Sequence, residues 1–109
     1  MDVISAAAKL EAIGSPTRLA VFRLLVRAGH EGLSVGEIQQ RLRIANSTLS
    51  HHLKALMIVD LVSQERRSRT LICRANFDLM NSLVEFLVAE CCADSLCPGP
   101  LPAQASRRA

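Results

Sequence analysis

Apolar residues recur along the first ninety positions at two spacings, and the changes between them mark out the elements. Val3, Ile4, Ala7, Leu10 and Ile13 fall at helical intervals, which predicts a first helix from Val3 to Ile13 stopped by Gly14. In "SPTRLAVFRLLVRAGHEG" Ser15 is placed to cap and Pro16 suits a first helical position, where its missing N–H costs nothing. Leu19, Phe22, Leu25 and Val26 form the apolar stripe of this second helix, and Gly29 and Gly32 end it. Two short helices with a tight break follow. Ser34 and Glu37 have capping-box spacing ahead of Val35, Ile38 and Leu42. The break falls at "RIAN", so Asn46 or Ser47 is expected to cap a helix whose inward side is Leu49, Leu53 and Leu56 or Met57.

The period then drops to two. Val62 and Gln64, then Leu71 and Cys73, alternate with polar neighbours around "RRSR", which predicts a two-stranded hairpin with a basic tip and no Asn-Gly or Asp-Gly to fix its turn. From Phe77 the helical interval returns through Leu79, Leu83, Phe86 and Leu87, with Cys91 at the next position on that side and an end between Cys92 and Ser95. The fold class is therefore mainly α with a small β-hairpin, about five helices in all. Residues 1–95 are expected to form one domain and 96–109, with "PGPLPAQASRRA", a flexible tail that contributes Cys97.

Composition adds three constraints. A chain of 109 residues holds a single modest core, which a partner subunit would help to cover. Half the residues are hydrophobic but the only aromatics are three Phe, so that core is aliphatic. No uncharged apolar run approaches the roughly 18 residues needed to cross a bilayer, and Asp2, Lys9 and Glu11 do not make a secretion signal, so no membrane association and a cytoplasmic location are expected. Thiols stay reduced there, which favours metal or redox roles for clustered cysteines over structural disulfides.

Charge sharpens the picture once it is divided along the chain. Residues 1–40 carry four basic and four acidic side chains; residues 41–74 carry seven basic and two acidic, a local +5; residues 75–96 carry four acids and no base. Positive charge is gathered in the middle third, as expected of a segment that meets a polyanion. Opposite Leu49 and Leu53, the fourth helix presents Asn46, Ser47, Thr48, Ser50, His51, His52 and Lys54, side chains able to hydrogen-bond base edges and phosphates, on an element that fits the major groove of double-stranded DNA. An isolated helix with this face is as readily an ordinary solvated surface; the short helix before it and the basic hairpin after it favour DNA. No Gly-rich phosphate loop, carboxylate pair or nucleophile with an oriented base is present, so the chain is not expected to be an enzyme or to take a small-molecule substrate.

In their order and spacing, "SPTRLAVFRLLV", "LSVGEIQQRL", "NSTLSHHLKALMIVDLV" and the basic hairpin resemble the ArsR/SmtB family of winged helix–turn–helix repressors, over about residues 5–92. The resemblance implies that Ser47 to Leu56 is a recognition helix, that the hairpin around Arg66, Arg67 and Arg69 is a wing, and that a homodimer forms through the first and last helices. It implies a repressor that leaves its operator when an inducer binds. Where many members have an Arg and an Ala-Gly pair after the recognition helix, this chain has Met57, Ile58, Val59 and Asp60; Asp tolerates the left-handed turn that Gly would make.

Two inducer sites known in the family are missing. Ser34 and Gly36 stand where a Cys-Val-Cys pair would be, and Asp78 is followed by Met80 with no His after His52. What remains is "ECCADSLC", with Cys91, Cys92 and Cys97, which resembles the arrangement of members whose arsenic site lies at the end of the last helix. Three thiols without His favour a thiophilic ion, and trivalent arsenic or antimony bonds three sulfurs in a pyramid. As(III) or Sb(III) is the expected inducer, with no permanent cofactor; an organoarsenical needs only two of the sulfurs. Adjacent helical residues diverge by about 100°, so Cys97 is expected to fold back while the helix end unwinds or reorients. Another soft metal, with Asp94 or a partner subunit as fourth ligand, and a disulfide between Cys97 and Cys91 or Cys92 remain open. Cys73 reads as a small buried residue, and His30 has little claim to a role.

Overall fold

The computed structural model describes residues 1–95. Its elements run α1 (Val3–Ala12), α2 (Pro16–Ala28), a 3₁₀ turn (Gly29–Glu31), β1 (Leu33–Ser34), α3 (Val35–Leu42), α4 (Asn46–Ile58), β2 (Val62–Arg67), β3 (Thr70–Ala75) and α5 (Phe77–Val88). Five helices and an antiparallel hairpin are the architecture that the hydrophobic spacing predicts. The strand β1 is an addition: two residues pair with β3, Leu33 opposite Cys73 and Ser34 opposite Ile72, giving a three-stranded sheet of order β1-β3-β2. Two residues are too few to show an alternating pattern, so nothing in the sequence marks them as a strand.

Caps decide where the helices begin. Ser15 Oγ accepts from the Arg18 N–H and Ser34 Oγ from the Glu37 N–H, while the Glu37 carboxylate takes the Ser34 N–H in return, the reciprocal pair that the spacing predicts. The start of α4 differs from expectation. Its cap is Ala45, with no side-chain hydrogen bond, and Asn46 and Ser47 lie inside the first turn. Arg43, left-handed at φ 54°, ends α3 three residues before α4 begins, so the break is too short to leave Asn46 outside the helix.

Aliphatic side chains from every layer meet in one core. Val21, Phe22 and Leu25 of α2, Ile38 of α3, Leu49, Leu53 and Leu56 of α4, and Leu61, Val62, Cys73 and Ala75 at the sheet are all buried. Burial of each large aliphatic side chain contributes about 1.5–3 kcal/mol, so the leucine stripe of α4 anchors that helix firmly while its other side stays in water. Asp60 turns the chain from α4 into β2 at φ 65°, the left-handed role its position implies. The hairpin closes at Ser68 and Arg69 between Arg67 and Thr70; φ is positive at Ser68 (58°) but not at Arg69, the pattern of a type II′ turn.

Some residues of three predicted stripes face outward where the spacing predicts burial. In α1 the buried residues are Ala6 and Ala12, whereas Val3 and Ile4 (83% exposed) point to solvent. Leu19 of α2 is also exposed. In α5 Leu83 is buried but Leu87 is 55% exposed, and the helix ends at Val88 instead of reaching Cys92. Beyond it Ala89 is extended and Glu90 left-handed at φ 61°, a stop that no Gly, Pro or basic residue announces.

Candidate nucleic-acid interface and thiol pair

The side of α4 away from its leucines carries Asn46, Ser47, Thr48, Ser50, His51 and Lys54, all exposed. A single stretch of helix therefore offers amide, hydroxyl, imidazole and ammonium groups to one direction. His52 does not join them. It is half-buried, and its Nδ1 accepts a hydrogen bond from Arg18 Nε of α2 at 3.2 Å. Position 52 follows Leu49 by three and precedes Leu56 by four, the two spacings that share a helix face, so the geometry of α4 turns this imidazole toward its neighbours. Burial, then the Arg18 charge, then His51 push its pKa below the ordinary histidine value. A hydrogen bond accepted at Nδ1 and a cation beside the ring both favour its neutral form, with the proton on Nε2.

Arg18 was not legible as a functional residue. Besides His52, its Nη1 donates to the Ala12 carbonyl at 3.3 Å, one of the last carbonyls of α1. One guanidinium thus joins the end of α1 and the middle of α4 to α2. No local signal reveals a partner 34 positions away in sequence.

At the wing, Arg66, Arg67 and Arg69 are exposed around the type II′ turn. Arg67 Nε lies 3.5 Å from a Glu65 carboxylate oxygen that also accepts from Arg74 Nη1 at 2.7 Å, and Arg74, first among the causes, holds Glu65 below the usual carboxylate range. Arg74 Nε donates to the His30 carbonyl at 2.9 Å, and the His30 ring meets Phe77 edge-on at 5.0 Å. Arg74 is therefore a brace between the wing and the 3₁₀ turn. On this outer side of the sheet, Arg27, Arg41, Arg67 and Arg74, with Glu31 and Glu37, line an open groove of about 830 Å³. Arg27 and Arg41 widen the basic surface beyond the residues that spacing singled out.

Residues 13–65 match a helix-turn-helix domain family. Over 60 residues the chain is 37% identical to an uncharacterized HTH-type transcriptional regulator, YceK, of Bacillus subtilis (strain 168); that match spans 55% of this chain and 59% of the relative. HlyU from Vibrio cholerae N16961 is 28% identical, with 84% of this chain and 99% of that one superposed at a TM-score of 0.67. An ArsR-like transcriptional regulator from Rhodococcus sp. RHA1 shares the fold over 77% of this chain and 76% of its own, at 24% identity and a TM-score of 0.68. The chain carries a helix-turn-helix domain and has the winged fold of an ArsR-like regulator. Its relatives are regulators and not enzymes.

In this winged helix–turn–helix chain the two described cysteines of the C-terminal cluster are brought together. Cys91 and Cys92 lie past the end of α5 in a turn held by Cys91 N–H to Val88 O (3.1 Å), Ala93 N–H to Glu90 O (3.0 Å) and Ser95 N–H to Cys92 O (3.1 Å). Cys92 is left-handed at φ 59°, and the two Sγ atoms are 3.3 Å apart. The helical divergence expected of adjacent residues does not apply, because neither residue is in a helix; no unwinding is needed to bring the sulfurs together. Cys97, the expected third ligand, lies outside the described residues, and among those described no three His, Cys, Asp or Glu side chains converge. Cys73 is fully buried on β3, accepts a long contact from Gln64 Nε2 (3.5 Å), and its thiol pKa is raised by that burial. At the family's other inducer positions, Ser34 is engaged in its capping box and Asp78 is exposed in the first turn of α5.

No described helix is long and apolar enough to cross a membrane.

Proposed function

We propose that the chain is an ArsR-family regulator that binds operator DNA as a homodimer and releases it when trivalent arsenic or antimony bonds the C-terminal thiols. The DNA reading rests on the exposed polar face of α4 beside a wing that carries Arg66, Arg67 and Arg69. Asn46, Ser47, Thr48, Ser50, His51 and Lys54 would meet the major groove, while the wing arginines supply phosphate attraction and its salt dependence. The exposed Val3, Ile4 and Leu10 of α1 and Val84 and Leu87 of α5 favour a second copy of the chain as their cover.

The arsenic reading is carried by the 3.3 Å between Cys91 Sγ and Cys92 Sγ. With thiolate bonds of about 2.3 Å, that separation corresponds to an angle of roughly 90° at the bound atom, nearer to a trigonal pyramid than to a tetrahedron. Cys97 would supply the third sulfur, and an organoarsenical would need only the first two. A thiol-redox sensor is the second reading, favoured by the same proximity: the sulfurs are already close, though a disulfide between adjacent residues requires about 2.05 Å and carries ring strain.

Fluorescence anisotropy with a duplex from the promoter of its own gene tests both readings. Arsenite is expected to lower affinity for the wild type and to have little effect on Cys91→Ser, Cys92→Ser or Cys97→Ser. If arsenite leaves wild-type binding unchanged, the arsenic reading fails. If peroxide then releases DNA and a thiol reductant restores it, redox sensing takes its place.

A further inference from the structure

Three helices meet at one arginine. Arg18 Nε donates to His52 Nδ1 at 3.2 Å and its Nη1 to the Ala12 carbonyl at 3.3 Å, so the end of α1 and the middle of α4 are both tied to α2. The leucine stripe anchors α4 in the core, and what is left to adjust is a small rotation and a small slide. A directional hydrogen bond constrains both. Among the described residues, His52 is the one member of the polar set on α4 whose side chain is tied to another helix, and it is next in the chain to the exposed His51.

We infer that Arg18 and His52 form a clamp that sets the recognition helix against α1 and α2, and that protonation of His52 opens the clamp and weakens DNA binding. His52 is thus a positioning residue, and its sensitivity to pH has the opposite sign to that of a histidine touching phosphate. The inference rests on the DNA-binding reading above.

The charge environment explains the sign. From α2 the imidazole faces Arg18; from its own helix it faces His51, with ring centroids 5.6 Å apart; from α1, Glu11 lines the same shallow groove as Arg18. The charged residues of β2, packed on the other side of α4, are Glu65, Arg66 and Arg67 toward the hairpin tip. Protonation at Nδ1 removes the acceptor that Arg18 uses and sets an imidazolium against a guanidinium. An exposed His51 beside DNA would behave in reverse, since its positive form attracts phosphate.

The test separates the two histidines. In a His51→Gln background, operator affinity is measured by anisotropy from about pH 7.5 to about pH 5.5, the range in which histidine changes charge. Loss of affinity on acidification is expected, and a second change, His52→Asn, is expected to abolish that loss because Asn Oδ1 accepts from Arg18 without titrating. Tighter binding at acid pH that disappears with His52→Asn would overturn the inference, as would an unchanged profile. In parallel, the imidazole of His52 is titrated by NMR in the DNA-free protein. Arg18→Gln removes the neighbouring cation and is expected to raise the His52 midpoint; no movement would also overturn the clamp. If no DNA binding occurs at any pH, the functional reading fails, while the NMR titration still decides whether Arg18 and His52 are coupled.

Discussion

Gly32 occupies a backbone position that other residues resist. Its φ of 71° with ψ of −169° lies in a region essentially reserved for glycine, and a Cβ there would meet the Cys73 carbonyl oxygen inside van der Waals contact. Gly29 has a similar φ of 72° but open space around it. Gly32→Ala is therefore expected to cost more than the about 1–3 kcal/mol of backbone strain alone, and Gly29→Ala to cost no more than that strain; urea denaturation of the two variants checks the order. Cys73 and the vicinal pair differ just as sharply. Brief treatment of the native protein with iodoacetamide is expected to modify Cys91 and Cys92 and leave Cys73 untouched until denaturant is added, as read by peptide mass spectrometry. Cys73 was legible from alternation with Leu71. For His52 both DNA contact and helix packing were open, and its spacing from Leu49 and Leu56 turns it to packing against Arg18, which escaped notice because its partners are distant in sequence.

At the scale of elements, periodicity located all five helices and the hairpin, since each carries apolar residues that repeat at its own interval. It failed where the deciding contact is not local. β1 exists through pairing with β3, Ala45 caps α4 because Arg43 leaves so little room, and α5 stops at an extended Ala89 followed by a left-handed Glu90. The capping box at α3 is a local device and was read correctly. Glu37 is held below the usual carboxylate range chiefly by the Ser34 backbone N–H, then by its hydroxyl and by Arg41. A carboxylate with a depressed folded pKa contributes stability above its unfolded value of 4.5 that is lost as pH falls through the folded pKa. Thermal melts between about pH 6 and about pH 3 should thus fall more steeply in the wild type than in Glu37→Gln, which keeps the acceptor but cannot titrate. Parallel slopes would show that the capping box holds little of the acid sensitivity.

For the whole molecule, the sequence carried the charge asymmetry plainly, and the structure distributes it. Arg66, Arg67 and Arg69 crown the wing, Arg27 and Arg41 extend the basic surface, and Arg74 is spent internally on Glu65 and His30. The apolar stripes of α1 and α5 gave the opposite difficulty: their spacing predicts a buried face, yet within one copy of the chain much of that face is open, and the proposed dimer would cover it. Leu87→Glu is expected to shift the protein from dimer to monomer in sedimentation velocity and to weaken operator binding at least tenfold, since a tethered second half-site supplies roughly a hundredfold or more in avidity. A monomeric wild type would remove the basis for that expectation.

The turn after α5 also has a kinetic meaning. With Cys91 Sγ and Cys92 Sγ held 3.3 Å apart before anything binds, a thiophilic ligand that has bonded one sulfur finds the second at a high local concentration, and ring closure is intramolecular. The speed of capture is then set by the first encounter with an exposed thiol, and release requires two bonds to break in succession. A site built this way fills quickly and empties slowly, so the protein would register a brief exposure long after the free ligand has gone.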